Sequence, residues 1–315
     1  MAQAESATAR AWRAVRAAAR LTPQLVDTHG PATFTLADNN EPELVRSDAR
    51  NAIIVWRSDG RWAPAVPPGD PGHALLDLYL PICSVETITI GHLGQSLDGF
   101  IATHAGESQF VTGEENILHL HRMRALCDAV VVGAGTVAAD DPQLTTRLVA
   151  GPSPLRVVLD PTRRLADTYR VFTDDLAETL YVCGRAFGRP GEQRVGNASV
   201  ATVADAEAGV DVRELVDVLR GRGCRRIFVE GGGVTVSQFL DANLLDRLQI
   251  AIAPLLIGDG RPAIRLPARS ALSDCHRPKH RVFRMGGDVL FDCEIGPDGN
   301  VAALPAELPS ITRVI

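Results

Sequence analysis

Arg226-Ile227-Phe228-Val229-Glu230-Gly231-Gly232-Gly233-Val234-Thr235 runs from strand-forming side chains through three consecutive glycines into a segment with helical periodicity. A buried strand that opens on glycine into a helix is the repeating unit of an α/β sheet. Backbone free of side chains at a helix N-terminus lets several N–H groups approach one anion, and the helix dipole favours its charge. The turn therefore reads either as a phosphate cradle for a nucleotide or as a tight connection only. Glu230, at the carboxyl end of the strand, reads as a ligand contact or as a cap or surface ion-pair partner.

The same alternation extends to both sides. Upstream lie strand-like Thr87 to Leu93, helical Asn116 to Cys127, strand-like Ala129 to Gly133, Leu155 to Leu159 and Thr179 to Cys183, and a helix from Val212 to Arg222. Downstream come a helix from about Val234 to Ala242 and a strand from Leu248 to Ile252. Strands alternating with helices predict an α/β domain with a largely parallel sheet flanked by helices. Two last strands, Arg281 to Met285 and Val289 to Ile295, meet at Gly286-Gly287-Asp288, a hairpin signal that makes the sheet mixed.

Residues 1 to 85 follow another pattern. An arginine-bearing helix (Arg10, Arg13, Arg16, Arg20) leads into a Pro/Asn/Asp segment from Pro31 to Pro42 and an apolar run, Ala52 to Trp56, that turns at Ser58-Asp59-Gly60. A cluster of Pro64, Pro67, Pro68, Gly69, Pro71 and Gly72 closes this part as a linker. The expectation is a small α+β module over residues 1–85, its core holding Trp12, Trp56 and Trp62, followed by the main domain over 86–315.

Composition removes whole classes of function. The chain has 315 residues and a net charge of −6, so no general positive field collects nucleic acid or anionic membrane. Lys279 is the single lysine, which excludes a Walker P-loop and a pyridoxal Schiff base. The six cysteines form no C-x-x-C pair and the longest apolar run, Leu248 to Ile257, is too short and too interrupted to span a bilayer. A reduced, cytoplasmic protein is expected.

Two further constellations carry chemistry. Val132-Gly133-Ala134-Gly135-Thr136-Val137-Ala138-Ala139-Asp140-Asp141-Pro142 opens a strand into a small-residue turn with a hydroxyl and two carboxylates, but the third glycine of a dinucleotide fingerprint is replaced by Ala138. Gly94-Gln95-Ser96-Leu97-Asp98-Gly99 and Gly106-Glu107-Ser108-Gln109-Phe110-Val111-Thr112 precede Thr112-x-x-Glu115, a capping box for the helix carrying His119, His121 and Arg124. His119 and His121 are two apart and point away from each other, so no metal site is expected there. Arg124 and Arg147 are either phosphate donors or solvated charge. Arg163 and Arg164, just past a strand, either grip a cofactor 2′-phosphate or stand exposed.

Leu93-Gly94-Gln95-Ser96-Leu97-Asp98-Gly99, Gly106-Glu107-Ser108-Gln109, Gly135-Thr136-Val137 with Ala139-Asp140-Asp141-Pro142-Gln143-Leu144-Thr145-Thr146-Arg147, and Val229-Glu230-Gly231-Gly232 together resemble the reductase domain of bacterial riboflavin biosynthesis, the half of the bifunctional deaminase/reductase that reduces a phosphoribosylaminopyrimidine. The resemblance spans about Glu86 to Ile295. It implies a dihydrofolate-reductase-like fold, a homodimer and NADPH. By motif position it implies that Gly94, Phe110, Thr136, Asp140, Pro161, Gly232, Gly233, Val234 and Thr235 contact the cofactor. It likewise implies that Ser108, Arg124, Leu144, Arg147 and Glu230 hold the ribose-phosphate substrate, with the arginines neutralising its phosphate.

Two departures from the family pattern matter. His92 stands where many relatives have lysine, and residues 1 to 85 contain no His-x-Glu and no Pro-Cys-x-x-Cys for a deaminase zinc. The expected activity is reduction without deamination: NADPH-dependent conversion of 5-amino-6-(5-phosphoribosylamino)uracil, or its analogue before deamination, to the ribitylamino product. Hydride would reach ribose C1′ of a ring-opened imine, with Glu230, Asp140 and His92 as candidates for orienting the sugar or relaying a proton. A related pterin or pyrimidine substrate, and a nucleotide-binding dimer without turnover, are the alternatives.

Overall fold

The computed structural model describes residues 6–296 apart from 28, 29, 38, 40, 110 and 208. The chain divides into two compact units at Ile88/Thr89.

The first unit consists of α1 (Ala7–Leu25), β1 (Ala32–Leu36), β2 (Pro42–Val45), β3 (Ile54–Trp56), β4 (Trp62–Pro64) and α2 (His73–Cys83). The strands form an antiparallel sheet in the order β2-β1-β3-β4. Ser6 caps α1 by accepting from the Ala9 N–H, and the helix buries Trp12, Val15 and Ala18. All three tryptophans are core residues: Trp12 packs edge-on against Tyr79, Trp56 against Trp62, and the Trp62 Nε1–H donates to Thr22 Oγ1 at 2.8 Å. Two details differ from the sequence reading. The 31–42 segment contributes β1 and the first residue of β2, because Ala32 to Leu36 can place Phe34 and Thr35 inward. The Pro/Gly cluster does not close the unit either; Gly72, its N–H held by Asp70 Oδ1, starts α2, whose Leu76, Tyr79 and Leu80 are buried.

In the second unit the chain forms β5 (Ile88–Ser96), β6 (Phe100–Thr103), α3 (Glu114–Leu126), β7 (Ala129–Gly133), α4 (Ala134–Asp140), β8 (Leu155–Leu159), α5 (Arg170–Thr173), β9 (Thr179–Gly184), β10 (Arg194–Val195), β11 (Ala198–Val203), β12 (Asp205–Ala206), β13 (Gly209–Val210), α6 (Val212–Gly221), β14 (Arg226–Glu230), α7 (Gly233–Asp241), β15 (Arg247–Ala253), β16 (Gly260–Pro262), β17 (Lys279–Met285) and β18 (Asp288–Glu294). Ten of these strands make one sheet in the order β10-β11-β9-β8-β7-β14-β5-β15-β18-β17. Pairing is parallel from β11 through β9, β8 and β7 to β14 and again between β5 and β15. It is antiparallel at both margins, β10 with β11 and β15-β18-β17. The mixed, mainly parallel α/β sheet expected from the alternation is present.

Strands buried on both faces read as unbroken apolar runs, and Ala129 to Val132 is fully buried. The apolar core joins Val131, Val157, Val182, Ile227 and Val229 of the strands to Leu215 and Leu219 of α6 and Val236, Phe239 and Leu240 of α7. Helix α3 is different, since it buries Asn116, His119, His121 and Arg124. Nor does the expected capping box form: Gly113 is the N-cap and its N–H donates to Asp288 Oδ2 at 2.7 Å, while Thr112 Oγ1 accepts from Asn116 Nδ2.

Candidate functional site

The parallel strands β8, β7 and β14 all end on the same side of the sheet, where α/β domains hold ligands. At the end of β14, Gly231 and Gly232 have φ of +74° and +72°, a region that a side chain strains. A Cβ at Gly233 would fall on the carbonyl oxygen of Ala263, so that position also tolerates only hydrogen. The bend thus brings bare backbone to the start of α7. Two hydroxyls border it, since a Cβ on Gly232 would sit 3.1 Å from Thr136 Oγ1 and 3.7 Å from Thr235 Oγ1. Glycine geometry, a helix N-terminus of nine residues and two hydroxyls together suit a pyrophosphate. Val234 is exposed and Thr235 buried, its hydroxyl lying over Gly133.

Glu230, one residue before the glycines, is 8% exposed and takes a two-pronged salt bridge from Arg124 on α3, Nε to Oε2 at 2.7 Å and Nη2 to Oε1. A third N–H of Arg124 donates to the Thr145 carbonyl at 3.2 Å. A buried guanidinium and carboxylate must compensate each other, and the fork geometry does so. Arg124 is therefore held by the protein through Nε, Nη1 and Nη2, whereas Arg147 is an exposed residue. Arg147 Nη1 donates to Thr145 Oγ1 at 2.7 Å, and its backbone N–H donates to His121 Nδ1 at 3.0 Å. Burial, then the charges of Arg124 and Arg147, hold His121 down to about 4, which keeps that nitrogen free to accept. Leu144, at φ +56° and buried, turns the chain so that Thr145 and Arg147 lie beside Arg124.

Ser108 and Asp140, read from separate motifs, meet: the Ser108 hydroxyl donates to Asp140 Oδ1 at 3.0 Å. Gly94 is closed on one side by Thr112, whose methyl lies 2.8 Å from where a Cβ would be. Pro161 ties the ends of β8 and β9, its carbonyl accepting from the Gly184 N–H at 3.0 Å. Phe110 lies outside the described residues.

His92 occupies a different kind of place. It is 2% exposed, with Nε2 3.0 Å from Asn116 Oδ1 and its ring against those of His119 and Phe228. Burial lowers it to about 4 against the opposing pull of Glu230, so it is neutral at pH 7. His92, one of the residues considered for a proton relay, here holds Asn116, and through it Thr112, behind Gly94. Sequence reasoning missed Asn116 and Thr145 because their importance lies only in what they touch. His119 Nε2 meets Gln249 Oε1, away from His121, and among the described residues no group of three or more His, Cys, Asp or Glu is placed to hold a metal. No helix among them is long and apolar enough to cross a membrane.

Fold and site define a dihydrofolate-reductase-like α/β domain with a glycine cradle beside a buried Arg–Glu pair. The family described as the RibD C-terminal domain matches residues 88–289, and the chain belongs to it. A relative from Methanothermobacter thermautotrophicus, 2,5-diamino-6-ribosylamino-4(3H)-pyrimidinone 5′-phosphate reductase, is 34% identical over 204 residues, covering 62% of this chain and 93% of its own. The riboflavin biosynthesis protein RibD of Bacillus amyloliquefaciens is 30% identical over 213 residues, 67% of this chain but only 56% of that protein. Among solved structures, the bifunctional deaminase/reductase of Thermotoga maritima superposes with a TM-score of 0.57 at 26% identity, covering 71% of this chain and 60% of that one. The chain is a reductase of this family, and the deaminase signature is absent from its sequence.

Proposed function

We propose that the second unit reduces a phosphoribosylaminopyrimidine to its ribitylamino form with NADPH, the substrate class named for the archaeal relatives. The observation that carries this reading is the adjacency of two anion-fitting features: the Gly231–Gly233 bend after β14, and Arg147 held beside the Arg124–Glu230 pair that begins one residue before that bend. A cofactor-only protein has no need of the second. A reduced nicotinamide held at the bend would supply the hydride that ribose C1′ of the ring-opened imine accepts.

The protein's own residues position and screen. Gly232, Gly233 and the Thr136 and Thr235 hydroxyls would receive the pyrophosphate, and Ser108 with Asp140 would orient the sugar hydroxyls. Arg147 meets the substrate phosphate. Its pKa is drawn down by burial and by Arg124, a like-charge strain that an incoming dianion relieves. The proton that accompanies hydride addition to the imine comes from solvent through the exposed Asp140, in preference to Glu230, both of whose oxygens are held by Arg124. The protein works as a cytoplasmic homodimer in this reading.

An absorbance assay of NADPH oxidation tests it. The phosphoribosylaminopyrimidine, with or without prior deamination, is expected to drive turnover, and dihydropterins are not. Oxidation with dihydropterins alone transfers the site to another substrate; tight NADPH binding without oxidation by any of them makes the unit a nucleotide-binding module.

A further inference from the structure

The segment between β15 and β17 crosses the carboxyl ends of the strands that carry the proposed cofactor contacts. It leaves β15 at Ala253, beside Ser96 of β5, pairs with β6 through β16, and passes over the start of α7, where Gly233 lies against the Pro262 and Ala263 carbonyls. Ala263 donates its N–H to the Gly99 carbonyl at 2.9 Å, and Arg265 donates its N–H to Ser237 Oγ of α7, also at 2.9 Å. One stretch, residues 254–265, thus touches both the turn that follows Gly94 on β5 and the glycine bend after β14. Strands β14 and β5 are neighbours in the sheet, so what lies across their ends sets how these two features are aligned.

Apolar burial does not anchor this stretch near β5, since Leu97, Leu255 and Leu256 are all exposed. A carboxylate does. Asp98 accepts from the Ile257 N–H at 3.0 Å, from the Gly258 N–H at 2.6 Å and from the Ser96 hydroxyl, and Ser96 Oγ in turn accepts from the Phe100 N–H at 3.0 Å. The Ser96 hydroxyl, then the Gly258 N–H, hold the carboxyl below its ordinary value, so the acceptor is the stronger, ionised form. Gly258, at φ +87°, supplies the turn that aims two successive N–H groups at one carboxylate. We propose that Asp98 is a positioning residue for hydride transfer: it pins residues 257–258 to the β5 turn and so fixes Gly94 relative to the glycine bend. This role rests on the dinucleotide reading above and adds to it the side chain that aligns its two contacts.

The test is single-turnover mixing of the NADPH-loaded full chain with saturating phosphoribosylaminopyrimidine, followed by absorbance. Its amplitude counts competent sites, and its rate constant reports the step that oxidises NADPH. The variants are Asp98→Ala, Asp98→Asn, which keeps one acceptor oxygen, and Asp259→Asn, which breaks the exposed His104–Asp259 pair at 3.0 Å on the same stretch. The backbone bonds Leu97–Leu255 and Ala263–Gly99 and the β6–β16 pairing remain in all three, so the fold is expected to persist. Misplacement of the reacting atoms predicts that Asp98→Ala lowers the rate constant by about 10- to 100-fold with the amplitude kept. Asp98→Asn is expected to fall between it and the wild type, and Asp259→Asn to stay within about twofold of the wild type. A loss of amplitude at an unchanged rate constant, an unchanged rate constant with full amplitude, or an equal fall in Asp259→Asn overturns the assignment. Where Asp98→Ala yields no folded protein, the rate constant of Asp98→Asn decides by the same criteria. A wild type that binds no NADPH, or binds it without oxidation, overturns the reading of the site itself and the role of Asp98 with it.

Discussion

Arg147 is the residue on which the proposed phosphate contact depends. The residue is exposed, its backbone N–H and Nη1 are held by His121 and Thr145, and it lies next to a second arginine that is already neutralised. A contact to a phosphate distant from the reacting carbon exists equally in ground and transition states, so its loss is uniform. Arg147→Ala is expected to raise KM for the phosphorylated pyrimidine by about 10- to 100-fold with kcat changed by no more than about threefold. Steady-state kinetics decide it, and an unchanged KM removes Arg147 from the phosphate site. The candidate residues were legible as residue types in order along the chain, because each motif has its own sequence signature. Their pairing was not. Glu230 and Arg124 are 106 positions apart, and nothing in either segment announces that they neutralise each other. His92 likewise reads as a polar residue near a motif and becomes, on folding, a buried support for Asn116.

Among the elements, α7 and its glycine entry depend most on backbone geometry. Strand β14 ends, the chain turns through two positive φ angles, and Gly233 passes so close to Ala263 that no side chain fits. Gly233→Ala is expected to weaken dinucleotide binding by at least about tenfold and to lower stability by about 1–3 kcal/mol, the range for overpacking. Titration and thermal melting measure both, and full binding in this variant would show that the bend is only a connection. These strands and helices were readable because apolar runs and glycine punctuation are local. Helix α2 was not, for a Pro/Gly cluster just before it reads as a linker, and the helix stands on the tertiary burial of Leu76, Tyr79 and Leu80. The capping box at Thr112 failed for a related reason: Asp288, far away in sequence, satisfies the helix start first.

Across the whole second unit, α3 is joined to the sheet by polar links. Asn116 meets His92 on β5, His119 meets Gln249 on β15, and Arg124 meets Glu230 on β14. Gln249 continues to Asp292 at 3.2 Å, which Arg247 and Arg281 neutralise. Burial lowers His92 to about 4 and His119 to about 3, the latter pushed further by His92. Both histidines fold in the neutral form, whereas the unfolded chain takes up their protons near pH 6.5. Their contribution is therefore complete above that pH and is lost as pH falls toward 4, by about 3 kcal/mol each at the lower end. Melting temperature is expected to drop steadily between pH 6.5 and 4, and His119→Gln to flatten part of that slope. A flat profile would mean that the imidazoles are hydrated or already charged in the folded state.

In the proposed reaction one site brings a reduced nicotinamide to the sugar carbon of a phosphorylated pyrimidine. NADPH carrying deuterium at both C4 positions of the nicotinamide, turned over with the phosphoribosylaminopyrimidine, tests it directly when the product is analysed by mass spectrometry and NMR. One deuterium is expected at C1′ of the ribityl chain. NADPH oxidation with no label at that carbon, or no ribityl product at all, would contradict it.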